Sequence, residues 1–184
     1  MIEKLNKSQM EGVEMDERKV KGSVPNGYLN FIKRKWGISG LEEAMKYARI
    51  SHRPEDGQWF SMSKTDVILE WIARNKGMEY VEEAGKYAAK DLGIFRYLFA
   101  SIIGLKALLK RSASNYHTLF NFGDMVFEKT DRGYRIIIKG ARITEYSCPA
   151  WEGAIKGLME ISGSKGDLEP VNSSPEDCTF EIKV

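Results

Sequence analysis

Two stretches decide the fold: Tyr146-Ser-Cys-Pro-Ala-Trp-Glu-Gly-Ala-Ile-Lys-Gly-Leu-Met-Glu160 and Ser173-Ser-Pro-Glu-Asp-Cys-Thr-Phe-Glu-Ile-Lys-Val184. Pro149 is suited to the first turn of a helix, which carries Gly153 and Gly157 and runs through Met159 to the stop Gly163-Ser-Lys-Gly166. In the second stretch Phe180, Ile182 and Val184 alternate with Thr179, Glu181 and Lys183, the period of a strand with one buried face. A helix placed just before a closing strand points to mixed architecture.

Working outward, the period is two from Gly123 onward. Met125 and Phe127 share a face, Asp131-Arg132-Gly133 is a turn, and Tyr134, Ile136 and Ile138 line the returning strand. Arg142 to Glu145 predicts a third strand and residues 167–172 a short one. Upstream the period is helical. Pro25 opens a helix through Tyr28, Phe31, Ile32 and Trp36 that Gly37 ends, and Ser39 caps a short one with Leu41, Ala44, Met45 and Ala48 on one face. Residues 51–62 read as a loop with apolar anchors. Val67, Ile68, Trp71 and Ile72 mark an amphipathic helix stopped by Gly77, and Tyr80 to Ala88 mark another ending near Gly93. The segment from Ile94 to Leu109 is apolar on most faces, as central helices are. The predicted fold class is α+β: N-terminal helices packed on a small antiparallel sheet with one inserted helix. Residues 1–19, dense in charge, predict an extension, and residues 20–184 a single domain.

The 184 residues carry 28 basic and 26 acidic side chains, a net charge of +2 that does not point to nucleic acid. The run Lys33-Arg-Lys35 with Lys106, Lys110 and Arg111 reads as a solvated helix face. The start Met1-Ile-Glu-Lys-Leu-Asn-Lys-Ser lacks the apolar core of a signal peptide, and the segment from Ile94 to Leu109 holds Arg96 and Lys106 and is too short to span a bilayer. A cytoplasmic protein without a membrane span is the expectation. Two cysteines do not make a disulfide framework, so Cys148 and Cys178 are read as small residues packed under the last strand, with one bridge between them as the alternative. No catalytic triad, phosphate loop or His-Glu-x-x-His motif occurs, and no catalytic residue is assigned.

Several short motifs together resemble the fold shared by haem-nitric-oxide/oxygen binding (H-NOX) domains and 4-vinyl-reductase-type small-molecule-binding domains. The stretch from Val20 to Ile32, followed by Trp36-Gly37, is similar to an H-NOX opening helix, and Glu82-Glu-Ala-Gly85-Lys-Tyr-Ala-Ala89 to a helix both groups carry. Asn121-Phe-Gly123-Asp-Met-Val and the closing segment, with Cys148, Gly153, Gly157 and Cys178, are nearer the vinyl-reductase type. The resemblance spans about residues 20–184. It implies a small molecule enclosed between helices and sheet.

In H-NOX domains the haem hangs from a His on a long helix, and the matching candidate is His117. The Tyr-x-Ser-x-Arg run that holds the haem propionates reads Ile138-Lys-Gly140-Ala-Arg142 here, retaining the Arg alone. Some vinyl-reductase-type domains hold zinc through three cysteines and a carboxylate. Cys148 and Cys178 match two of these, while Pro170 stands where a third would be; two Cys with one Glu make a poor zinc site.

The primary expectation is therefore a sensor or carrier for a small hydrophobic molecule, with Trp71, Phe95, Phe99, Tyr116, His117, Phe120 and Arg142 as the candidate ligand-binding residues and no firm cofactor. A possible homodimer and a separate downstream protein partner complete it. The alternatives are a haem-dependent sensor of diatomic gases using His117 as axial ligand, and a ligand-free self-associating scaffold.

Overall fold

The computed structural model describes residues 17–91 and 104–184. The chain runs β1 (Lys19–Lys21), α1 (Ser23–Tyr47), β2 (Trp59–Ser61), α2 (Met62–Lys76), α3 (Glu79–Asp91), α4 (Leu105–Ser114), β3 (Asp124–Thr130), β4 (Gly133–Lys139), α5 (Ser147–Ile161), β5 (Asp167–Ser173) and β6 (Cys178–Lys183). This is the α+β arrangement the periodicities predict. α1 is broken where Gly37 takes φ 74° and ψ −167°, so the two predicted helices follow one another across a kink. Ser61 caps α2, its Oγ accepting from the Lys64 N–H, and Gly77 ends it.

The four-stranded antiparallel sheet has the order β3-β4-β6-β5. Ile136 pairs with Phe180 and Ile138 with Cys178, all buried, so the alternation read from both strands faces one layer of core. β5 lies at an edge. It is exposed along most of its length, carries Pro170 opposite Phe180, and shifts register between Pro170 and Asn172.

Two readings need correction. Residues 142–145 form no strand: Arg142 adopts φ 48°, which breaks an extended run, and the Ser147 hydroxyl accepts from the Thr144 N–H in the turn that opens α5. Within the stretch read as a loop, Trp59–Ser61 pairs antiparallel with β1, putting Val20 opposite Phe60. β1 is bound on its other side too, where Lys21 N–H donates to the Leu119 carbonyl and Asn121 N–H to that of Lys19. Arg18, on the extension side of the expected boundary, donates from Nη1 to the Ala141 carbonyl (2.7 Å) and pairs with Asp66 (3.4 Å).

The helical layer meets the sheet layer at the crossing of α3 and α5. A Cβ at Gly85 would overlap the Ala150 carbonyl, and one at Gly153 would overlap the Glu82 carbonyl, so the two backbones touch. Lys156 bridges Glu82 (2.7 Å) and Glu152 (2.8 Å) along the seam, and Glu160 pairs with Lys86 and Lys90. Three apolar clusters pack around this crossing: one among α1–α3, one between α5 and the sheet, and a smaller one of Val20, Val24, Tyr116 and Phe120.

Cys148 and Cys178 form a disulfide, with their Cα atoms 6.1 Å apart. This corrects the reading of two free thiols and leaves neither sulfur as a metal ligand. It also sits at odds with the reducing compartment expected for the chain. Among the described residues no group of three or more His, Cys, Asp or Glu could hold a metal ion, and no helix is long and apolar enough to cross a membrane.

Two outcomes follow from this packing. Gly153→Ala forces the helices apart and is expected to cost about 1–3 kcal/mol in denaturant unfolding, whereas Gly57→Ala, where a Cβ meets nothing within 4 Å, stays near neutral. Reducing the disulfide, which closes a loop of sequence separation 30, is expected to lower stability by roughly 3–4 kcal/mol, read as a fall in the denaturation midpoint on adding dithiothreitol.

Candidate functional site

Below the α3–α5 crossing the three clusters do not close completely. They leave a largely apolar cavity of about 130 Å³. Its walls come from every layer: Val24 and Tyr28 of α1, Met62 and Leu69 of α2, Ala88 and Ala89 of α3, Leu108 of α4, Met125 of β3, and Ala150, Trp151, Ala154, Ile155 and Leu158 of α5. The small side chains explain the space. Gly85 and Gly153 let the helices touch, while Ala88, Ala150 and Ala154 leave room beside the contact. Arg111 and Asn115 also line the cavity and are exposed, so they mark its edge.

One wall is an aromatic stack on the short 3-10 turn Tyr116–Thr118 that follows α4. Tyr116 lies on Phe120 with centroids 4.7 Å apart and planes 18° apart, and both face Trp151, at 6.1 and 5.2 Å. The backbone bonds from Lys21 N–H to the Leu119 carbonyl and from Asn121 N–H to the Lys19 carbonyl hold this segment in place.

The polar groups of the cavity are few. Ser147 Oγ is engaged by Thr144 at 2.7 Å, and Asn115 Nδ2 donates to the Arg111 carbonyl. Among the described residues the Tyr116 hydroxyl has no hydrogen-bond partner, although the residue is only 3% exposed. Burial pushes its pKa well above the ordinary phenol value, and the negative charge of Asp124 adds to the rise. Tyr28 is shifted the same way by burial and by Asp66. Both phenols are therefore neutral donors at ordinary pH. An unpaired buried hydroxyl costs about 1–3 kcal/mol, so its retention in an apolar wall marks the point where a guest can bond.

The candidate residues divide. Tyr116 and Phe120 line the cavity. Trp71 does not: it is buried in the cluster of α1–α3, edge-on to Trp36 at 6.0 Å. Arg142 is exposed on the loop after β4, its carbonyl accepting from Arg18. Phe95 and Phe99 lie outside the described residues. His117 follows Tyr116 in the 3-10 turn, but its ring points away from the cavity, 63% exposed, with Nε2 2.8 Å from Asp124 Oδ1. At three residues per turn, adjacent side chains of this 3-10 turn are about 120° apart, so burying Tyr116 leaves His117 on a face open to solvent. Tyr28, Met62, Met125 and Trp151 were missed. The available signal was the 147/150/151/154/155/158 spacing in α5, which sets one helix face beside the Gly153/Gly157 stripe.

The fit of haem can be tested on these residues. Axial ligation needs a His, Cys, Met or Tyr side chain facing the iron. Among the described residues His117 and the exposed His52 both stand outside the cavity and both cysteines are in the disulfide, whereas Tyr28, Tyr116, Met62 and Met125 do line it. Pockets for larger guests hold roughly 300–1,000 Å³, several times the space present. Among the described residues His117 does not line the cavity, and the volume of about 130 Å³ is smaller than larger guests occupy.

No protein-family model and no curated protein matches the chain. Solved structures do. A structure from work on the function of haem distortion in the H-NOX family is 12% identical with a TM-score of 0.72, covering 89% of this chain and 94% of that one. An oxygen-binding H-NOX domain related to soluble guanylate cyclases, in its oxygen complex, is 11% identical with a TM-score of 0.69 over the same shares. An H-NOX protein from S. oneidensis in the Fe(II)NO ligation state is 12% identical with a TM-score of 0.67, covering 89% of this chain and 99% of that one. On these TM-scores and shares of both chains, this chain has the fold of the H-NOX domains.

Proposed function

We propose that residues 20–184 form a sensor or carrier domain that takes a small, largely apolar molecule into the cavity between the helices and the sheet. The observation that carries this reading is the buried Tyr116 hydroxyl, without a partner among the described residues, in a largely apolar cavity. Binding there removes apolar surface from water at about 25 cal/mol per Å² and gives the hydroxyl a partner. The cavity is walled by α1, α2, α3, α4, α5 and β3 together, so a guest that prefers one arrangement of these layers shifts the population toward it. A separate protein partner or a second copy of the chain would then read that shift.

A second reading is haem. The fold likeness favours it over the general class, because the neighbouring structures are H-NOX domains, among them ones described with haem and with bound oxygen or nitric oxide. The outward His117 and the cavity volume favour a smaller free guest. For His117 to serve, its ring would have to leave Asp124 and the turn would have to refold.

Native mass spectrometry of the purified full chain, with an absorption spectrum taken before and after adding haemin, tests both readings. The expected outcome is no stoichiometric Soret band and a chain able to carry a small adduct. A strong Soret band lost in His117→Ala would establish the haem reading instead. A tight, empty dimer that takes up nothing would replace both with a scaffold.

A further inference from the structure

We infer that the cavity selects an uncharged guest the size of one six-membered ring, bearing an oxygen that accepts a hydrogen bond but no polar hydrogen of its own, as in a cyclic ketone or lactone. The inference names the ligand class of the binding role proposed above and rests on that role.

Size comes from the volume. The cavity measures about 130 Å³, and a dry cavity of about 150 Å³ lined by aliphatic and aromatic side chains takes up benzene. Neutrality comes from the walls. Among the described lining residues the one cation, Arg111, is on the exposed edge, and a carboxylate among Ala154, Ile155 and Leu158 would lose its hydration without gaining a counter-ion from them. The hydrogen-bonding pattern comes from Tyr116. Burial keeps its phenol protonated, so its unmet need is for an acceptor. A guest hydroxyl could bond to the phenol in either direction, but one contact satisfies one of the two hydrogens and strands the other. An acceptor without a hydrogen strands none. The hydroxyl of the α5 wall, on Ser147, is already taken by Thr144, and Tyr28 and Ser112 are the other hydroxyl-bearing residues of the described lining.

The test is calorimetric titration of the full, haem-free chain with cyclohexanone, cyclohexanol, benzene and cyclohexanecarboxylate. Cyclohexanone is expected to bind about tenfold tighter than cyclohexanol or benzene, the worth of one buried hydrogen bond, and the carboxylate not at all. Tyr116→Phe should erase that tenfold advantage and leave benzene binding unchanged. Without guest it should raise the melting temperature by about 2–4 °C, since the orphaned hydroxyl is gone. Ala154→Leu, which fills the space, should abolish all binding. Equal affinity for cyclohexanone and benzene, both lost in Ala154→Leu, would overturn the ligand class while leaving the binding role intact. Preference for cyclohexanol or the carboxylate would overturn it too. If no probe binds, the binding role itself falls.

Discussion

The contact between α3 and α5 is the constraint on which the remaining structure depends. The helical layer and the sheet layer each have their own core, and this crossing is where the two are joined. Gly85 and Gly153 allow a main-chain approach that a methyl group at either position would prevent. Such an approach brings many weak dispersion contacts into range at once. The Lys156 pairs along its rim are half-buried and the Glu160 pairs lie open to solvent, so together they set register more than they add stability.

The cavity is the geometric counterpart of that contact. Helices that touch at glycine diverge on either side of the crossing, and the alanines of α3 and α5 do not fill the wedge. Tyr116, Phe120 and Trp151 close one side of it as a stack, fixed from behind by β1. Val20 thus contributes to the site without lining the cavity: fully buried, it packs with Tyr116 and Phe120 and bridges Phe120 through the backbone. A segment of three residues near the beginning of the chain in this way governs the orientation of a phenol near its middle.

Much of this fold was legible because its elements bury one face each. The 3.6-residue period of Val67 to Ile72 and the alternation of Tyr134 to Ile138 report burial directly, and both elements stand where those periods put them. β1 and β2 were not legible, since three residues show no period and their pairing joins segments some forty positions apart. Arg142 to Glu145 looked extended because local composition carries no record of a left-handed φ. The site was legible in part. Tyr116 and Phe120 could be picked out as aromatics beside a predicted apolar helix, but the sequence does not say which of two adjacent rings turns inward in a 3-10 turn, and so His117 was placed on the wrong side. The cavity itself arises from absent atoms, the missing side chains of glycine and alanine. Hydrophobic patterning is least sensitive to such absences.

Pro170 first drew notice as the position where a third sulfur was missing. In the folded chain it sits on β5, the strand with one flank open to solvent. Proline has no N–H to offer a neighbouring chain, and the register shift beside it further disturbs the row of donors and acceptors. Asp167 and Glu169 add negative charge along the same strand. The outer rim of the sheet is thereby a poor template for another strand, which protects a molecule with an exposed Val171 from growing edge to edge into aggregates.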